Sequence, residues 1–332
     1  MKTLITGSSG FVGLALSEHL LMAGEEVIGF DLGPIPDAAR AVFAELPGRF
    51  IEHRGDVRDA TDLRTLMGRH RPQRVVTLAA ITADADRERL APQAIFEVNV
   101  GGVLAAIGAS AECGVSRLVH ISSGSVYGSA GRHAPLLDEA RSALAPEGLY
   151  GQSKRSAEDA ARRLAQLHGL PLVIGRLGTC FGPWEADSGV RDTLSAPLQL
   201  LQVARRGGTA ILARDSLRDW LYVRDAAQAI GCLLDQPQWR YPLYNLAAGF
   251  QWPLSQWCAR LATRFPDFRW RLAAPGETPN IELYADYDRA SMAVDRLRED
   301  CSFVPRFDID AADHDFHHWL AQVAGPQTRV NP

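Results

Sequence analysis

The feature that most constrains this chain is a strand, a glycine-rich turn, a helix and a second strand closed by an acid, all within residues 4–31. Leu4-Ile5 leads into Thr6-Gly7-Ser8-Ser9-Gly10-Phe11-Val12-Gly13, and Leu14, Leu16, Leu20 and Leu21 continue with helical spacing until Gly24. Val27-Ile28-Gly29-Phe30 then runs to Asp31. Glycines let a backbone approach a pyrophosphate, and a helix N-terminus offers free N–H groups and a positive dipole end. An acid at the end of the second strand accepts hydrogen bonds from both ribose hydroxyls and repels a 2′-phosphate. This unit predicts a dinucleotide site built from Gly7, Gly10, Phe11, Val12, Gly13 and Asp31, and NAD rather than NADP as cofactor.

The same rhythm continues. Strand-like runs at Phe50–His53, Val75–Leu78, Leu118–Ile121 and Leu172–Ile174 alternate with helical stretches at about 59–70, 93–113 and 150–168. Such alternation predicts an α/β fold, a doubly wound parallel (Rossmann) sheet covered by helices on both faces. Its ligands bind at the carboxyl ends of the strands. Asp56 and Val57 fall where an adenine ring would lie, and Ala79 and Ala80, next to the further cofactor candidate Leu78, are small enough at the strand end to let a cofactor pass. A plain strand-end turn explains Asp56 or Val57 equally well. After Arg176 the alternation stops and Arg-, Trp- and Pro-rich segments follow. The expected division is a Rossmann domain at 1–176 plus about 221–247, and a smaller substrate-binding lobe at about 177–220 plus 248–325.

Of 35 basic residues only Lys2 and Lys154 are lysines. Lys154 lies four positions after Tyr150, so on a helix phenol and ammonium share one face. A tyrosine acting as a base near neutral pH must lose about three units from a pKa of about 10, or about 4 kcal/mol. A cation about 4.5 Å away at an effective dielectric near 20 supplies that amount. On spacing alone a solvated lysine after a surface tyrosine is the blander account. The nucleotide turn favours the catalytic one.

The net charge of −4 argues against nonspecific nucleic-acid binding. Five scattered cysteines without a Cys-x-x-Cys pair fit reduced cytoplasmic thiols. No signal peptide is expected, since a strand-like Lys2-Thr3-Leu4-Ile5 begins at once, and no apolar run is expected to span a bilayer.

The chain resembles the extended short-chain dehydrogenase/reductases, specifically the NAD-dependent epimerase/dehydratase family. The resemblance spans nearly the whole length and rests on Thr6-Gly7-x-x-Gly10-x-x-Gly13, Asp31, Gly55-Asp56-Val57, Leu78-Ala79-Ala80, Asn99-Val100-x-Gly102, Ser122-Ser123-x-x-Val126-Tyr127-Gly128, Tyr150-x-x-x-Lys154 and Arg218-Asp219-Trp220-x-Tyr222-Val223-x-Asp225. It implies that Tyr150 exchanges a proton with a substrate hydroxyl while a hydride moves to or from the nicotinamide. Lys154 would lower the phenol's pKa and hold the nicotinamide ribose, and Ser123 would bond the reacting oxygen. Tyr127, with Gly131 four positions on, is read as structural or as a cleft wall. Asn99 is read as backbone support or as a helix start.

The resemblance also implies that Arg218 binds a diphosphate, with Arg191 and Arg214 nearby in sequence, and that Ser125 and Thr179 line the substrate site. Departures matter here. Gly124-Ser125 follows Ser123 where dehydratases carry acids, so 4,6-dehydration is not expected. Thr179 stands where many epimerases have asparagine, and Ala273-Ala274-Pro275-Gly276-Glu277 lacks their second phosphate arginine. Two accounts stay open: a nucleotide-sugar epimerase, and a dehydrogenase of a free sugar or sugar acid. A third, a non-catalytic NAD-binding regulator, is disfavoured by the intact Ser123, Tyr150 and Lys154. No metal is expected, since Asp313-His314-Asp315-Phe316-His317-His318 reads as an amphipathic helix. A homodimer through the helices near 99–113 and 150–168 is expected, with Val103, Leu104 and Ile107 as apolar candidates.

Overall fold

The structure is a computed structural model in which residues 1–187 and 193–323 are described. The first half alternates as the sequence predicts: β1 (Lys2–Thr6), α1 (Phe11–Met22), β2 (Glu26–Asp31), α2 (Asp37–Ala44), β3 (Arg49–Arg54), α3 (Ala60–His70) and β4 (Arg74–Thr77). Two short helices, α4 (Ala85–Leu90) and α5 (Pro92–Phe96), lead through a π turn at Glu97–Gly101 into α6 (Gly102–Glu112). Then come β5 (Arg117–Ser123), α7 (Leu149–His168) and β6 (Leu172–Leu177).

Beyond β6 the elements shorten. They are β7 (Thr179–Phe181), α8 (Ala196–Arg205), β8 (Thr209–Leu212), β9 (Leu217–Arg218), β10 (Trp220–Tyr222), α9 (Val223–Asp235), β11 (Leu243–Leu246), β12 (Trp252–Pro253), α10 (Leu254–Arg264), β13 (Arg269–Leu272), α11 (Asp295–Cys301) and α12 (Ile309–Val323). Seven strands form one parallel sheet in the order β11-β6-β5-β4-β1-β2-β3. The strand order reverses at β1, beside β4, so the crevice where ligands gather lies at the carboxyl ends of these strands. The chain re-enters the large sheet through β11, and α9 packs on α1. A separate aromatic core of Phe181, Trp220, Tyr222, Trp252, Trp257 and Phe268 fills the C-terminal part.

The helical run Pro92–Glu112 corrects one expectation. Its 21 residues, with mean hydropathy 1.6, are long and apolar enough to cross a membrane by length and composition. Here it packs against α3 and α7. Val103 and Ile107 are buried in this subunit's own core, so of the three residues offered for a dimer only Leu104 remains part-exposed.

Candidate active site

The glycine turn is shaped by close contacts. Gly7 has φ +76°, and a Cβ there would lie 2.6 Å from the Ala79 nitrogen. At Gly13 a Cβ would lie 2.1 Å from the Gly7 carbonyl, so α1 can start this close to β1 only without a side chain. Gly10 differs: a Cβ would meet only the Gly7 carbonyl, at 3.3 Å, and its other side is open. Phe11 and Val12 begin α1 directly behind this opening. Such a cradle fits the pyrophosphate of NAD. Leu78 and Ala79 are bonded to Thr6, to its carbonyl and its hydroxyl.

Asp31 closes the site. Its carboxylate accepts the Ser9 N–H at 2.8 Å. Burial pushes its pKa up, against the pull of the Ser9, Gly33 and Leu32 N–H groups. Asp56 instead pairs with Arg58 at 2.6 Å, which holds its carboxyl below the usual range. Val57 is buried against Gly102, whose added Cβ would come within 2.7 Å of it.

The acid–base group assembles at the start of α7. Tyr150 is its second residue and is part-exposed. One turn on, Lys154 is 2% exposed and donates to the Ile121 carbonyl of β5 at 2.6 Å. Burial lowers the ammonium's pKa to about 8, while Glu158, a further turn along, opposes that shift. Glu158 is itself fully buried and takes two bonds from Arg176, at 2.9 and 2.8 Å. Gly151 brings this helix to the substrate side, since a Cβ there would lie 2.7 Å from the Ser125 carbonyl. The Ser123 hydroxyl accepts the Ser125 N–H at 3.1 Å and lies 3.2 Å from the Ser125 hydroxyl.

Asn99 ties these pieces together. It sits fully buried in the π turn, accepts the Ile81 N–H at 2.8 Å, and donates to the Ile81 carbonyl at 2.9 Å and the Ser153 hydroxyl at 3.0 Å. Its place is therefore backbone support between the β4 end and α7. Tyr127 is fully buried and donates to Asn245 at 2.8 Å, and burial pushes its pKa up. That geometry suits a structural tyrosine.

At the other end of the cleft Arg218 is 4% exposed, and one of its nitrogens bonds the Thr179 hydroxyl at 3.5 Å. A narrow cavity lies between Thr179, Arg218, Arg289 and Met292. Met292 covers Gly124, where an added Cβ would lie 2.9 Å from its sulfur. This places the arginine end next to the Ser123–Ser125 turn. Arg214 does not reach the cavity: it bonds Asp288 and the carbonyls of Ala285 and Tyr287. Arg191 lies outside the described residues. In α12, Asp313 bonds Arg264 and His317, and Asp315 bonds Tyr222 and Arg224. Sequence reading missed Gly151, Glu158, Arg176 and Arg289. Only Glu158 carried a local signal, one turn beyond Lys154.

The profile of the NAD dependent epimerase/dehydratase family matches residues 3–247. UDP-glucose 4-epimerase of Streptomyces lividans is 30% identical over 242 residues, covering 69% of this chain and 70% of that protein. dTDP-glucose 4,6-dehydratase 1 of Escherichia coli is 29% identical over 259 residues, covering 69% of this chain and 67% of that protein. Among solved structures, UDP-glucuronic acid 4-epimerase of Bacillus cereus, in complex with UDP-glucuronic acid and NAD, shares the fold with a TM-score of 0.80 at 21% identity, over 97% of this chain and all of that one. With its glycine cradle, its Tyr150–Lys154 helix and a match across most of its length, the chain belongs to the NAD-dependent epimerase/dehydratase family.

Proposed function

We propose that this protein is an NAD-dependent epimerase of a nucleotide sugar, acting at one secondary alcohol carbon. The observation that carries the reading is the Arg218 cavity, whose Met292 wall packs on Gly124 of the Ser123–Ser125 turn. The cavity is built for an anion, and the adjoining turn carries the hydroxyls that would meet an alcohol oxygen. NAD, held by Gly7, Gly10, Gly13 and Asp31, supplies the hydride acceptor. Tyr150 takes the proton from the alcohol oxygen and returns it, Ser123 fixes that oxygen, and the buried Lys154 keeps the phenolate accessible near neutral pH. Lys154, drawing on Glu158 below it, also orients the nicotinamide ribose. Dehydration is disfavoured because Gly124 lies against Met292 where an acidic side chain would be needed.

The second reading, net oxidation of a free sugar or sugar acid, is favoured by Thr179 and by the Ala273-Ala274 turn. The discriminating experiment follows UDP-, dTDP- and GDP-sugars by proton NMR with the NAD-loaded enzyme, while absorbance reports NADH. Inversion at one ring carbon without NADH accumulation supports epimerisation. Stoichiometric NADH with a free sugar, and no reaction with any nucleotide sugar, rejects it. The same reading includes a homodimer through α6 and α7, supported by part-exposed Leu104 and by the open faces of Gly101 and Gly108. It also includes a cytoplasmic setting, supported by the free cysteines.

A further inference from the structure

A second arginine stands opposite Arg218. Arg289 lines the same narrow cavity, and its Nε is buried without a hydrogen-bond partner. The Arg218 Nη2 is buried and unpartnered in the same way. Among the described residues no carboxylate pairs with either guanidinium. The nearby Asp219 is used up by the Ala248, Gly249 and Met292 N–H groups and by the Ser291 hydroxyl. Asp288 is taken by Arg214 and Ser216. Burial, and then the like charge of Arg289, push the Arg218 pKa down to about 10. A buried guanidinium and a part-exposed one line the same cavity, each with a buried open donor, an arrangement that an anion relieves.

The position of Arg289 is fixed on several sides. Its stem crosses Gly131, where a Cβ would lie 2.7 Å from the Arg289 Cγ. The Ala290 N–H bonds the Gly131 carbonyl at 3.0 Å, and the Arg289 carbonyl accepts from Gln251 at 2.8 Å. Arg214 pins the preceding residues 285–288. The segment is therefore held as a mount for the guanidinium. The turn at residues 273–277, where the sequence lacks an arginine, is elsewhere occupied: Glu277 bonds Arg271 and the Ala274 N–H.

We infer that Arg289 is a substrate-binding and specificity-determining residue, which with Arg218 forms a two-arginine clamp for two adjacent phosphates. The inference rests on the nucleotide-sugar reading and deepens it: the handle is a diphosphate, and its second cation comes from residue 289 rather than from residues 273–277. Guanidinium forks grip phosphate oxygens in pairs, and each charge-assisted bond is strong in a dry site.

The test is calorimetric titration of UDP, GDP and dTDP into the NAD-saturated wild type, then of the tightest binder and its monophosphate into wild type and Arg289→Gln. The variant is expected to bind the diphosphate about ten- to hundredfold more weakly, to lose less for the monophosphate, and to hold NAD as before. Equal diphosphate affinity in variant and wild type overturns the role of Arg289 and leaves the nucleotide reading standing. No binding of any nucleotide to wild type overturns both. A measurement without substitution covers a variant that fails to fold: wild type must prefer the diphosphate over the monophosphate by about tenfold, and equal affinity for the two overturns the clamp.

Discussion

Replacing Lys154 with methionine should stabilise the NAD-free protein near neutral pH while abolishing its activity. The ammonium is 2% exposed, and burial takes its pKa from 10.5 to about 8. The folded pKa is the lower one, so between about 8 and 10.5 the unfolded chain binds more protons and stability rises with pH. Below about 8 the folded state carries the whole cost of the buried charge, about 3 kcal/mol at about 1.4 kcal/mol per pKa unit. Methionine has nearly the same volume and no charge, but it leaves the Ile121 carbonyl without this donor, at a cost of about 1 kcal/mol. The variant should then be about 2 kcal/mol more stable than wild type near pH 7, and the advantage should vanish or invert by about pH 10.5. For 332 residues at about 2.1 cal/mol/K each, 2 kcal/mol is about 3 °C in Tm. Urea unfolding and calorimetric scans of both proteins between about pH 7 and 10.5 would measure it. The window is favourable because the only other lysine is Lys2, and tyrosines and cysteines are common to both chains. A stability difference that stays flat with pH would refute the reasoning, since the lysine would then not be carrying a buried charge.

Three further outcomes are expected. Tyr150→Phe should lower turnover by about 10²–10⁴ with NAD affinity unchanged in calorimetry, and retained turnover would sink the acid–base assignment. Asn99→Ala removes three buried hydrogen bonds and should cost about 2–4 kcal/mol, read as a lower urea midpoint together with reduced kcat. Asp31→Ser should weaken NAD about tenfold and narrow the preference over NADP, and an unchanged NAD-to-NADP ratio in equilibrium binding would remove Asp31 from the ribose site.

The sheet was legible because parallel strands buried on both faces leave short apolar runs, and the helices between them leave a 3.6-residue rhythm. The six strands read from sequence all lie in the large sheet. The cofactor half of the site was legible for a related reason: its residues sit next to one another in the chain, at the ends of β1 and β2. The anion end was not. Arg289 meets Arg218 across 71 positions, through a segment with little regular structure, and nothing local marks it off from the other arginines. The interval Ala273–Glu277 drew attention as the place where the second phosphate arginine is lacking, and folding uses that turn for a surface ion pair between Glu277 and Arg271. Arg214 erred the other way, near in sequence but spent on Asp288. Val103 and Ile107 look available on a helix drawn alone, and become core only once α3 and α7 are packed against it.

The scarcity of lysine also decides how this protein can be handled. An amine-directed reagent at moderate pH finds Lys2 42% exposed and Lys154 shut inside. Lys2 begins β1, at the amino edge of the parallel sheet, and the cleft lies along the carboxyl edge. A dye, a biotin or a sensor surface coupled through Lys2 would therefore sit at the far side of the domain. Molecules immobilised that way would present their clefts outward, ready for surface-based measurement of nucleotide binding.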